Sequence, residues 1–288
     1  MKSNRTRHTD RLLLGLIASL FFVSVSAASD LPVWEAGLGV SGLSMPDYRG
    51  SNQQRFYVLP IPYLIYRGEI FRVDKGGVYG LLFRSNRARL SMSADGGVPV
   101  KSDNNTARRG MPDLNPTMQL GPSLDVCLVT DCNADTTFRF RLPIRGIFAI
   151  ATDLSSIKGI GVTINPQLNV HFKNILPGTG WNLGFIIGPV FATQEFHEYY
   201  YGVAPAYALP GIRPAYRASG GYSGTQVLMS VSKRFEHIWF GGFASYDELS
   251  GAAFDTSPLM RTKQSAMAGF GIAWIFAESK KRVPAAHQ

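Results

Sequence analysis

Shortages narrow this sequence before anything abundant does. Past Val25 it has no run of eighteen apolar residues, so a bundle of membrane-spanning helices, each needing about 20, is excluded. Charged residues reach only 17%, against roughly 25% in ordinary soluble domains, so a freely solvated globule fits poorly. The only cysteines are Cys127 and Cys132, with no nearby histidine or further cysteine to complete a metal site. Neither G-x-S-x-G nor H-E-x-x-H occurs. What is abundant is different in kind: 30 glycines, 12% aromatic residues, and a mean hydropathy of +0.01 that comes from fine interleaving of apolar and polar positions. A transmembrane β-barrel has this signature, because lipid-facing and lumen-facing residues alternate and the average hides the membrane.

The first residues set the compartment. Lys2, Arg5, Arg7 and Arg11 precede an apolar run from Leu12 to Val25, and Ser24 to Ser29 supply the small residues that signal peptidase requires. This is a secretory signal with expected cleavage after Ala28, leaving 29–276 as barrel and 277–288 as a short polar tail. The formal charge of +9 falls to about +6 once the basic leader is removed. An exported chain rarely meets nucleic acid, so acidic lipopolysaccharide, murein and anionic solutes are the expected partners, in the outer membrane of a Gram-negative cell.

Period-two alternation assigns faces in several segments. Phe138, Phe140, Leu142 and Ile144 oppose Thr137, Arg139, Arg141 and Arg145; Val162 to Phe172 and Met118 to Val126 alternate as cleanly. Large aromatics such as Trp34, Phe172, Trp181, Trp274 and Phe276 sit near the ends of apolar faces, as interfacial girdles do, which argues against a soluble sandwich. Expected strands are 33–43, 55–66, 69–74, 77–84, 87–97, 114–126, 136–149, 158–172, 181–192, 221–234, 238–247 and 263–276. The connections between them alternate long and short. That asymmetry predicts one antiparallel barrel of about twelve strands with both ends periplasmic, although the short third strand leaves ten or fourteen open.

Candidate functional residues follow from this topology. In an exported chain, Cys127 and Cys132 are expected to form a local disulfide stapling a periplasmic turn. Arg87, Arg89, Arg139, Arg141 and Arg145 take lumen-lining positions with Asp125 between them, and Glu35 could join them. They form either an anion-attracting ring or a packed salt-bridge network that closes the lumen, the second being favoured. Tyr199, Tyr200 and Tyr201 lie in the longest external loop, as a contact surface, a plug or an interfacial belt. His171 faces the lumen, His287 lies in the tail, and His197, beside Glu195 and Glu198, is expected to be a solvated loop histidine. No catalytic set, metal site or cofactor site is expected, though a hydrolase assembled from distant strands stays as a third reading.

Met45-Pro46-Asp47-Tyr48-Arg49-Gly50-Ser51, Pro60 to Gly68, Tyr199 to Val203, Tyr216 to Tyr222, Leu249-Ser250-Gly251 and Ser257-Pro258-Leu259 together resemble the MipA/OmpV family of outer-membrane proteins. The resemblance covers essentially the whole mature chain. It implies an outer-membrane barrel that in one branch is a non-enzymatic scaffold between a murein lytic transglycosylase and a murein synthase. A small anion-preferring channel, supported by the lumen arginines, is the alternative. The sequence departs from many relatives where twelve residues follow the terminal aromatic strand at Phe276.

Overall fold

A computed structural model of the chain describes residues 30–68, 71–74, 77–85, 87–129 and 135–283. The leader with its expected cleavage site, Cys132 and His287 lie outside the described residues. Twelve strands form one antiparallel sheet: β1 (Trp34–Pro46), β2 (Gln54–Arg67), β3 (Phe71–Asp74), β4 (Gly77–Arg84), β5 (Ala88–Gly97), β6 (Thr117–Cys127), β7 (Thr136–Ile150), β8, β9 (Trp181–Ala192), β10 (Gly221–Arg234), β11 (Ile238–Glu248) and β12 (Gln264–Glu278). β8 comes in two stretches, Ile157–Ile164 and Gln167–Phe172, broken at Asn165–Pro166, where proline cannot donate to a ladder. Both stretches pair with β7 on one side and β9 on the other. β12 pairs with β1, so the sheet closes on itself with no free terminal edge. Among the described residues no helix is long and apolar enough to cross a membrane.

The alternation maps onto the two faces of the wall. Leu38, Val40, Phe56, Val58, Leu120, Ile164, Phe185, Val227, Phe270 and Trp274 are exposed on the outside, a belt that only lipid can cover favourably. Ser91, Ser93, Ser123, Thr137, Gln167 and Ser245 are buried on the inside. The two chain ends meet at one rim. Leu31–Pro32 pairs with Arg282–Val283, Ser279 Oγ accepts the Val33 amide at 2.8 Å, and β12 runs two residues past Phe276 to Glu278. We call this rim the terminal end. The opposite rim carries the long connections and is the loop end.

Candidate functional site

At the loop end, four connections fold over the mouth. They lie between β1 and β2, β5 and β6, β9 and β10, and β11 and β12. The middle two of these rise a third of the way round the twelve-strand ring from each other, and they meet where Arg108 reaches Tyr200. Tyr48, Val100, Leu114, Tyr201, Val203, Ala252, Phe254 and Leu259 form a single buried cluster drawn from all four. A core built from loops needs its backbone polar groups satisfied, and here side chains do it. Arg108 donates to the carbonyls of Tyr200 (3.0 Å) and Pro112 (3.2 Å); Arg213 donates to those of Ala107 (2.9 Å) and Tyr207 (2.8 Å). Tyr48 Oη donates to Leu259 O and Tyr201 Oη to Arg49 O, each at 2.8 Å. Burial pushes the Tyr48 phenol up to about 12, so it remains a donor at any physiological pH.

A short helix, α1 (Gln194–Tyr201), carries the aromatic part of this cap. Its seat is a bulge in β8. Ile147 pairs with Gly161 and Phe148 with Gly159, so Ile160 is the extra residue and turns inward. Ile160 is buried with Ile147 and Ala149 beneath Phe196, Tyr199 and Tyr200. Gly161 has φ +126°, and a Cβ there would lie 2.9 Å from the Phe196 amide nitrogen, so only glycine lets α1 sit down on the strand. Tyr199, Tyr200 and Tyr201 therefore pack inward. Tyr201 stacks on Phe254 with ring centroids 3.6 Å apart, and Tyr199 Oη accepts the Asn115 amide at 2.8 Å.

His197 corrects the expectation of a solvated histidine, for it is fully buried. Its Nδ1 lies 2.6 Å from Ser219 O and its Nε2 3.1 Å from Ser223 Oγ, with Phe254 against the ring at 4.7 Å. Arg49 donates to the same Ser223 Oγ (3.3 Å) and to Asp247 Oδ1 (2.9 Å). Nδ1 must donate to the carbonyl, and in the neutral imidazole Nε2 then accepts from the serine. Burial lowers its pKa from the usual histidine value, against the pull of Ser219, and nearby Arg49 lowers it further. Glu195 is exposed, while Glu198 Oε2 accepts the Ala218 amide at 2.7 Å. Among the described residues no three histidine, cysteine or carboxylate groups form a metal cluster.

Toward the terminal end the lumen holds two ionic knots. In one, Asp125 on β6 lies 3.4 Å from Arg89 on β5 and 3.2 Å from Arg141 on β7, while Arg141 Nε also donates to Ser123 at 3.2 Å. Farther up β7, Arg145 meets Asp95 at 3.5 Å and donates to Ser93 at 3.1 Å. Arg139 faces inward on β7 closer to the terminal rim than Arg141, and Arg87 is exposed in the turn before β5. The second knot is centred on fully buried Glu35, bound by Arg67 at 2.7 Å, by Arg234, and by Tyr63 Oη at 3.3 Å. His171 and His237 are exposed near the same rim. Cys127 is disulfide-bonded, and Cys132, the only other cysteine, lies outside the described residues.

Sequence alternation placed the β5–β7 arginines together with Asp125. It missed Arg49, Arg108, Arg213 and the junction where Arg55 and Asn105 both donate to Asp47, all at loop or strand-end positions where no periodicity points inward. The only available signal was compositional, the unusual aromatic content of the longest loop.

A family model described as MltA-interacting protein MipA matches residues 38–276 of the chain. Among solved structures, the chain is similar to a bacterial polysaccharide outer membrane secretin (8% identity, 86% of this chain and 100% of that one, TM-score 0.44). It is also similar to a Pseudomonas aeruginosa FadL homologue (10% identity, 75% and 60%, TM-score 0.31) and to the outer membrane protease OmpT from Escherichia coli (7% identity, 86% and 98%, TM-score 0.31). No curated protein matches the chain.

Proposed function

Since the chain belongs to the MltA-interacting protein MipA family, we propose that it is a non-enzymatic envelope scaffold, a capped outer-membrane barrel whose terminal end faces the periplasm. The observation that carries this reading is the cap. A core shared by four loops across the mouth is a device for closing a barrel, and it suits a protein whose work is done at the opposite rim. The family name supports a partner of the murein lytic transglycosylase class, and a murein synthase completes the assembly in this proposal. The turn after Cys127, stapled by a Cys127–Cys132 disulfide, and the polar tail beyond Glu278 are the periplasmic contact elements of this proposal, delivered by a cleaved leader.

A small anion-preferring channel is the second reading. It is favoured by inward Arg89, Arg139, Arg141 and Arg145, which outnumber inward Asp95 and Asp125. Site-specific photo-cross-linking from the 128–135 turn, in cells, separates the two. Capture of a murein-cleaving enzyme is expected. Steady conductance of the purified barrel with no such capture would sink the scaffold in favour of the channel.

A further inference from the structure

β12 and β1 part before the wall reaches the loop end. β11 stays paired with β12 up to Glu248–Gln264, whereas the last β1–β12 pair is Ser44–Ala268. β1 runs on with β2 to Pro46–Gln54 and then turns into the cap. Gln264 to Met267 therefore have β11 on one side and a split on the other. Gln54 Nε2 crosses this split to donate to Ala266 O at 3.0 Å, and above it the amides of Arg261 and Thr262 donate to Gly50 O at 2.8 and 3.1 Å. What remains is a groove of about 340 Å³ lined by Ser51, Asn52, Gln54, Tyr246, Thr262 and Gln264. Among the described residues no charged side chain lines it.

Strand register puts this groove on the outer face of the wall. Tyr63, Trp239 and Ala273 pack together inside the barrel. Gln54, Tyr246 and Gln264 stand an odd number of residues from them along β2, β11 and β12, with unbroken pairing between, so the pleat turns them outward. Toward the terminal end the same face is apolar. Phe56 follows Gln54 on β2, Phe270 lies beyond Ala266 and Ala268 on β12, and their rings close over Gly42, where a Cβ would stand 2.9 and 2.8 Å from them. The two alanines keep the surface low between these rings and Tyr246. The groove thus sits where the lipid-facing belt gives way to polar residues. Tyr246 Oη donates to Glu248 at 3.0 Å, and Glu248 accepts in turn from the Ser250 amide at 3.1 Å and hydroxyl at 2.6 Å, which fixes the phenol ring beside the groove.

We propose that this groove holds the head-group sugar of lipopolysaccharide, a glucosamine ring whose acyl chains lie on the apolar belt next to it. Uncharged hydroxyls and amides match the hydroxyl and amide groups of the sugar, and the fixed phenol offers a flat face to its C–H side. A phospholipid head group would call for a cation in the groove, where none is found. Arg261 and Lys263, exposed on either side of Thr262 in the chain, leave positive charge beside the groove for the phosphates that the sugar carries. The inference rests on the reading that the terminal end faces the periplasm, which puts the loop end in the outer leaflet, and it needs no murein partner.

Occupancy and orientation are tested separately. For occupancy, the refolded mature protein in detergent is incubated with lipid A, with digalactosyl diacylglycerol as a neutral glycolipid, and with phosphatidylglycerol, and retention is read by native mass spectrometry. Both glycolipids should be held about tenfold more tightly than phosphatidylglycerol, and Tyr246→Ala or Gln264→Leu should cost them about tenfold, as the loss of one good contact does, while leaving phosphatidylglycerol unchanged. Equal retention of all three lipids, or glycolipid retention that survives both substitutions, overturns the site. Free maltose in large excess should not compete, and competition by it would overturn a lipid-anchored ligand. Folding is checked first by heat-modifiable mobility, and the second substitution, also at an exposed position, keeps the test open if the first does not fold. For orientation, Ile212→Cys, at an exposed loop-end position, is treated with a membrane-impermeant maleimide on intact cells. Labelling is expected. Labelling only in opened cells would reverse the barrel and overturn lipopolysaccharide as the occupant, while retention would still report whether the groove takes a sugar.

Discussion

Glu35 and His197 are both fully buried and both polar, but they hold the barrel in opposite ways. Glu35 is a charge kept inside because Arg67 and Arg234 grip it from neighbouring strands. Removing one partner of such a set leaves the others buried without compensation, typically at about 3–5 kcal/mol. Both arginines retain some water, so Glu35→Gln should cost about 3 kcal/mol, read as a lowered urea midpoint of the refolded barrel; an unchanged midpoint would mean the knot adds nothing to stability. His197, by contrast, is kept neutral. Its folded pKa lies below the ordinary ~6.5, so the opened cap binds a proton that the closed cap refuses. The stability it contributes is therefore present above about pH 6.5 and lost as pH falls through the folded value. The groups around it are Arg49, itself held by Asp247, with Ser219, Ser223, Tyr201 and Phe254, and none is a carboxylate that could receive the new charge. Protection factors across 194–220, taken against the intrinsic exchange rate at each pH, should fall on acidification from pH 7 to 5, and His197→Gln should remove most of that dependence.

At the scale of elements, the cap stands on the seat of α1. Any side chain at Gly161 meets two penalties, a left-handed-side φ costing about 1–2 kcal/mol and a clash with Thr193 and Phe196. Gly161→Val should thus undock α1 while leaving the wall paired, seen as trypsin cleavage at Arg108 and Arg109 in a barrel that still shows heat-modifiable mobility; continued protection of those bonds would show that the cap does not need its helix. This seat also explains what the sequence disclosed and what it withheld. The strands were legible because period two has a direct physical cause, lipid on one face and water or side chains on the other. Trp34–Pro46 and Gln264–Glu278 extend only two or three residues beyond the expected spans, since hydrogen bonds continue into turns where hydropathy has stopped alternating. The cap was not legible. Its core combines Tyr48, Leu114, Tyr201 and Phe254 from four loops, and such contacts leave no periodic trace. The bulge at Ile160 precedes the alternation that begins at Val162, and its flanking glycines carry no hydropathy that could have marked it.

For the whole molecule the question is how far the cap controls the lumen. The inward face carries Arg67, Arg89, Arg139, Arg141, Arg145 and Arg234 against Glu35, Asp95 and Asp125, so the enclosed field is positive, and rings of arginine in a narrow passage attract anions. The four packed loops lie over that field at the loop end. Replacing residues 99–114 with two glycines removes Val100, Arg108 and Leu114 from the cap together with the carbonyl contacts that Arg108 and Arg213 make there. The intact barrel should be silent in a planar bilayer, and the loop-deleted barrel should conduct with a preference for chloride over potassium. Because a field of exposed charges is screened within about 10 Å at 0.1 M salt, the preference should shrink as salt rises to 1 M. Changing Arg139 and Arg141 to Gln in the deleted barrel should abolish it. A deleted barrel that conducts without selectivity would mean that the lumen carboxylates already neutralise the arginines. Steady anion current through the intact barrel would mean that the cap is a sieve, and the protein a channel.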